Sequence, residues 1–222
     1  MDFYINMQNA CPTNLAAEIR QIDITHQDRG RTISEIVDKS FLNHLCIEAM
    51  LVTIAKKINA STDQLVLSNF LSSVTTHHTI LSDNAKNPIK EAILRGGYRQ
   101  SIALYYFTAL RYNRIDIRDA LQDKIIENWS FNHPRAGNAA TWHYYLYLAS
   151  FKEPGAIEAL EKKIACTTSG NDVTNLLKSL YDLQSKEAFN VLLQYKDDMR
   201  RADAPEGEGM TIAETVKIYL GL

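Results

Sequence analysis

Three cysteines in 222 residues, Cys11, Cys46 and Cys166, are odd in number and far apart. They have neither the even count of a disulfide framework nor the close spacing of a zinc site. The simplest reading is a set of thiols in a reducing compartment, hence a cytoplasmic protein. The opening MDFYINMQN has no basic start and no sustained apolar core, so no secretory signal is expected. No apolar run approaches the roughly 20 residues of a membrane-spanning helix. The longest, Phe41 to Ile58, is broken by Asn43, His44, Glu48, Lys56 and Lys57. A basic excess is missing as well: 24 Lys and Arg face 26 Asp and Glu, for a net charge of −2 and a pI of about 6.3. That argues against a nucleic-acid partner, which would be met by a cationic surplus. The two halves differ little, with 11 Lys and Arg against 10 Asp and Glu over residues 1–111 and 13 against 16 over 112–222. Also absent are a nucleophile elbow, a dinucleotide fingerprint, a zinc-protease helix and a paired-carboxylate motif. No catalytic residue, cofactor or metal is therefore expected. Catalytic groups often meet only in the fold, so the reading leans away from an enzyme without closing the question.

What the chain does have is helical periodicity. Apolar residues make up 45% and charged residues 23%, enough for one sizeable core or one continuous repeat array. Pro12-Thr13 opens a helix to about Ile22, and a long apolar pattern runs from Ile33 to Ile58. Ser61-Thr62-Asp63-Gln64 reads as a capping box before Leu65, Leu67, Phe70, Leu71 and Val74. Asn87-Pro88 reads as a helix start, and Gly96-Gly97 as its stop. Helices follow over Arg99–Tyr112 and Ile117–Trp129, then the loop SFNHPRAGN, then a helix pair over Thr141–Ile164 turning at Lys152-Glu153-Pro154-Gly155. Val173–Leu183 and Lys186–Tyr195 form another pair. Thr211-Ile212-Ala213-Glu214 is a second capping box, opening a last helix through 211–222. The expected class is all-α.

The Thr141–Ile164 pair repeats. Moved back by 39, Tyr144 falls on Tyr105, Tyr145 on Tyr106, Leu146 on Phe107 and, after the turn, Ala159 on Ala120 and Leu160 on Leu121. Moved forward by 32, Tyr145 falls on Leu177, Leu148 on Leu180, Ala156 on Ala188 and Leu160 on Leu192, with failures at Leu146 on Lys178 and Ile164 on Lys196. Two-helix units at such a period are the mark of an α-solenoid of paired antiparallel helices. The stretches YLYLASFKEPGAIEALEKKI and LLKSLYDLQSKEAFNVLLQYKDD resemble HEAT-like repeats: an apolar helix, a short polar turn, then Ala-apolar-x-x-Leu. The resemblance covers about 99–197 as three copies, with 61–97 as a diverged fourth, 1–60 as N-terminal helices and 211–222 as a C-terminal capping helix. It implies a single helical domain; the alternative is an irregular helical bundle.

Several groups carry chemistry. The loop Asn132-His133-Pro134-Arg135-Ala136-Gly137-Asn138 precedes Trp142, His143 and Tyr144 and joins an imidazole, a guanidinium and amides at a helix entrance, where an anion is favoured. Tyrosines cluster at 98, 105, 106, 112, 144, 145 and 147. One helix face cannot bury them all, and tyrosine and arginine are favoured binding anchors. His133, Arg135, Asn138, Trp142, His143, Tyr144, Tyr105 and Arg99 are therefore the candidate binding residues. His44 and Glu48 stand one helical turn apart, as a core-edge hydrogen-bonded pair or as acid and base. His77 and His78 point about 100° apart on a helix and so fit one metal poorly. Arg95-Gly96-Gly97-Tyr98-Arg99 lacks the lysine and spacing of a phosphate loop.

The HEAT-like resemblance implies a non-catalytic protein–protein module, an inhibitor or immunity-type protein among the narrower forms. Two alternatives come from other classes. One is a nucleic-acid-acting protein similar to helical-repeat DNA repair glycosylases, which the acidic balance disfavours. The other is a small-molecule enzyme with its site at 132–143 or at His44 and Glu48.

Overall fold

Short apolar helices joined by polar turns can bury their inner faces only against neighbours, and the structure shows which neighbours. A computed structural model describes residues 44–76, 81–120, 139–167, 169–201 and 209–222. The expected helix at 12–22, His77 and His78, most of the 117–129 helix and the 132–138 loop lie outside the described residues. The described residues form nine α-helices, one 3₁₀ turn and a single isolated antiparallel bridge between Arg201 and Thr211. The fold is all-α. It divides into two compact units, Met1–Ile126 and Glu127–Leu222.

In the first unit, α1 is His44–Ala55, α2 Gln64–Thr76, α3 Asp83–Gly96 and α4 Ala103–Tyr112, the last preceded by a 3₁₀ turn at Gln100–Ile102. Helix α1 is apolar on all sides and correspondingly buried: Cys46, Ile47, Ala49, Met50, Leu51 and Val52 are all in the core. It packs against α3, α2 packs against α4, and α1 meets α2. The paired helices run parallel, because their like ends are tied. At the start of α1 and α3, the Glu48 carboxylate accepts from Ser82 N–H at 2.6 Å and Ser82 Oγ at 2.7 Å. At their far ends, Arg95 Nη2 donates to Ala55 O at 2.9 Å and Nε to Ile58 O at 3.2 Å. Ahead of α2 and α4, Arg99 Nη2 donates to Thr62 O at 2.8 Å. Behind them, buried Asn113 donates to Val74 O at 3.1 Å and accepts from Leu81 N–H at 3.3 Å. Gly96 sits where a Cβ would come within 3.1 Å of Ile58 and Leu67 side chains, so its lack of a side chain lets the two layers close.

The second unit is paired differently, with consecutive helices in closest contact. Helices α5 (Ala139–Ser150) and α6 (Ala156–Cys166) pair, as do α7 (Gly170–Tyr181) and α8 (Lys186–Gln194). Helix α5 also touches α7, and α6 touches α8. Leu146, Leu160, Ile164, Leu176, Leu180 and Leu192 are among the shared core. Helix α9 (Ile212–Leu220) packs on α7 and α8, with Tyr219 stacked on Tyr181 at 4.9 Å. Its first N–H groups have no partner within the helix. They are met by Arg200 O, Asp198 O and the Thr211–Glu214 capping box.

A backbone feature recurs at the hinge of the hairpins. Arg114, Lys152 and Gln184 are the non-glycine residues with positive φ, at 53°, 58° and 49°. Each follows the end of a helix, α4, α5 or α7, and each donates its N–H three residues back, to Arg111, Ala149 or Tyr181 O. At the first two, the next residue reaches five back, Ile115 to Leu110 O and Glu153 to Leu148 O. This is the left-handed cap that ends many helices. It fixes equivalence better than sequence matching: Lys152 matches Gln184 at the expected 32, but Arg114 at 38. At 38, buried Tyr106 and Ala109 fall on buried Tyr144 and Tyr147, and exposed Tyr112 on exposed Ser150. The expected offset of 39 puts exposed Tyr105 on buried Tyr144 and is one residue out.

Two expected starts also move. Ser61 does not cap α2: its N–H and hydroxyl bond Asn59 Oδ1, and Asp63 caps instead by accepting from Leu65 N–H at 2.7 Å. Helix α3 starts at Asp83 rather than Asn87, leaving Pro88 inside it. The Glu48–Ser82 bonds hold that earlier turn in place.

A left-handed residue with a Cβ carries about 1 kcal/mol of strain. Lys152→Gly and Gln184→Gly should each raise stability by about 0.5–1 kcal/mol in urea unfolding. A comparable loss would contradict the left-handed turn.

Candidate binding surface

Helix α4 turns one side to the core and one to solvent. Ala103, Tyr106, Phe107, Ala109 and Leu110 are buried, and Tyr106 and Phe107 pack with Tyr98. The opposite arc holds Leu104, Tyr105, Thr108, Arg111 and Tyr112, spaced so that all five share one face. Leu104, Tyr105 and Tyr112 are 42%, 40% and 46% exposed. The Arg111 guanidinium lies 4.9 Å from the Tyr112 ring centre, a cation–π distance. The parallel neighbour α2 adds exposed Leu65 and the small polar side chains Ser68, Asn69 and Ser72, so the α2/α4 layer has one outer surface.

The charged side chains on α4 are of one sign, and the acid nearest on the α2 side is Asp63, the cap beside Leu65. Helix α2 has no charged residue, and between Glu91 and Asp116 the chain holds Arg95, Arg99, Arg111 and Arg114 but no acid. Arg95 and Arg99 are spent on backbone carbonyls. Asp116 is already held by Arg118 at 2.8 Å. Its hydrogen bonds to the Arg118 side chain, opposed by partial burial, bring its pKa down to about 2. Arg111 and exposed Arg114 remain at the outer end of α4.

The residues expected from sequence divide. Tyr105 is on this surface. Arg99 clamps the α1–α2 turn, donating to the carbonyls of Ala60 and Thr62. Trp142 and His143 are half-buried on α5, with rings 5.1 Å apart, and Trp142 packs on the core of the second unit. Tyr144 is 6% exposed and Tyr147 fully buried, which corrects the expectation of a free Tyr144. Their positions match the inward ones of α4. His133, Arg135 and Asn138 lie outside the described residues, so the two expected groups are not seen as one site. Glu48 is buried as the anchor of α3 rather than as an acid–base group. Leu65, Leu104 and Arg111 were missed. A helical wheel of 103–112 separates the outer arc, but only once the inner arc is known.

Among the described residues, no group of three or more His, Cys, Asp or Glu is placed to hold a metal ion. No helix among them is long and apolar enough to cross a membrane. Cys166 is free and exposed, and Cys46 is buried. The chain matches no family model, no curated protein and no solved structure.

The tyrosines of α5 supply a pH test. Burial, with Glu153 nearby, raises the Tyr144 phenol above its ordinary value of 10.0, and burial also raises Tyr145. A raised folded pKa contributes stability that is complete below pH about 10 and lost as pH climbs through the folded value. Tyr144→Phe removes one such titration, so its stability should fall less steeply than the wild type's above pH 10 by circular dichroism. Identical alkaline profiles would contradict the buried phenol.

Proposed function

We propose that the chain is a protein–protein interaction module of HEAT-like helical repeats, and that it binds through the outer surface of the α2/α4 layer. The observation that carries the binding reading is the exposed Leu65, Leu104, Tyr105 and Tyr112 on two adjacent helices, with Arg111 against Tyr112 at one end. Tyrosine and arginine anchors beside apolar contacts are what interface hot spots are made of. The helices beneath are short, tied at both ends and closely packed, so the surface is held ready before a partner arrives, which lowers the ordering cost of binding. The repeat reading is supported by the left-handed turns at Arg114, Lys152 and Gln184 and by parallel like helices in the first unit.

Wild-type protein and a Tyr105→Ala/Tyr112→Ala variant, immobilised and exposed to native lysate, provide the test. The wild type should retain a protein at near-stoichiometric yield, and the variant about tenfold less, with equal helical circular dichroism. Equal retention, or no stoichiometric protein on the wild type, would overturn this reading.

A further inference from the structure

We infer that the occupant of the α2/α4 surface is an acidic amphipathic segment of another protein, with carboxylates set beside apolar side chains. The inference rests on the binding reading above and adds the chemistry of the partner. In a chain of net charge −2, this surface is the exception. Its two helices carry no Asp or Glu; Asp63, ahead of α2, accepts from Leu65 N–H, and Asp116, after α4, is taken up by Arg118. Arg111 and Arg114 stand at one end of α4, and Leu104 and Tyr105 at the other, with Leu65 near the start of the parallel α2. Tyr105 and Tyr112 are seven residues apart, so about 10 Å along the helix, which is two turns of a partner helix. A segment with apolar residues at that spacing seats them on Tyr105 and Tyr112 and brings its carboxylates to the guanidiniums, where charge-assisted hydrogen bonds form.

A basic segment would meet two arginines with no acid between Glu91 and Asp116 to receive it. Single-stranded nucleic acid is the rival for a surface of tyrosine and arginine. It needs cations along the whole strand path, whereas here two arginines sit at one end and leucines occupy positions where a base would stack.

The test is a random-peptide display selection on the full chain, with selected peptides remade and titrated against the wild type and three double variants: Arg111→Glu/Arg114→Glu, Arg111→Lys/Arg114→Lys and Tyr105→Ala/Tyr112→Ala. Oligo(dT) of about 20 nucleotides serves as the nucleic-acid probe. The selected peptides should be enriched in Asp and Glu next to Leu, Phe or Trp. Their binding should weaken about tenfold on charge reversal and much less in the lysine pair, and wild-type binding should itself weaken as salt is raised. Circular dichroism checks that each variant is folded. Peptides that need Tyr105 and Tyr112 but show no acid enrichment and ignore charge reversal would overturn the acidic partner while leaving the binding surface standing. Peptides indifferent to all three variants would overturn both. Oligo(dT) binding that depends on Arg111 and Arg114, without acidic peptides, would overturn the inference in favour of nucleic acid.

Discussion

The fold depends on what satisfies the ends of its helices. Each α-helix leaves four N–H and four C=O groups without internal partners. The helices here are 9 to 14 residues long, so those groups are a large share of the backbone. Polar side chains about one repeat away meet many of them. Ser82 and Glu48 are 34 residues apart, Arg95 and Ala55 40, Arg99 and Thr62 37, Asn113 and Val74 39. In the second unit Arg200 and Thr167 are 33 apart. Arg95 adds a favourable charge at the negative end of α1. Apolar burial supplies most of the stabilisation, and these bonds fix which helix lies beside which and in what register.

That division of labour explains the surface. With inner faces committed to the core and helix ends to polar side chains, the outer arc of α4 is left to present Leu104, Tyr105, Arg111 and Tyr112 at little cost in mobility. The same turn of α5 faces differently. Tyr144 and Tyr147 take the inward places of Tyr106 and Ala109, and Ser150 takes the outward place of Tyr112. One plan therefore yields an aromatic outer face in one helix and a less aromatic one in the next, by changing side chains and not backbone.

Helix existence was legible in the sequence because apolar spacing reports it directly. So were the Thr211–Glu214 box and the Gly96–Gly97 stop, whose signals are local. What was hidden was set from a distance. Glu48 reaches Ser82 and moves the start of α3 ahead of Pro88. Asp63 outcompetes Ser61 because Asn59 takes the serine hydroxyl. The left-handed turns fall on Arg114, Lys152 and Gln184 rather than on glycine, so composition gave no cue. The candidate site was legible only in kind. A tyrosine cluster said that some rings must face outward, but the one-residue difference between offsets of 38 and 39 decides that Tyr105 does and Tyr144 does not.

Asn113 tests the dependence on helix-end bonds most directly, because one buried amide serves α2, α4 and the approach to α3. Urea unfolding of Asn113→Ala against the wild type should show a loss of about 2–4 kcal/mol, the cost of leaving the Leu81 N–H and the Val74 and Ala109 carbonyls without this partner. A loss below about 0.5 kcal/mol, the level of an ordinary surface substitution, would contradict it.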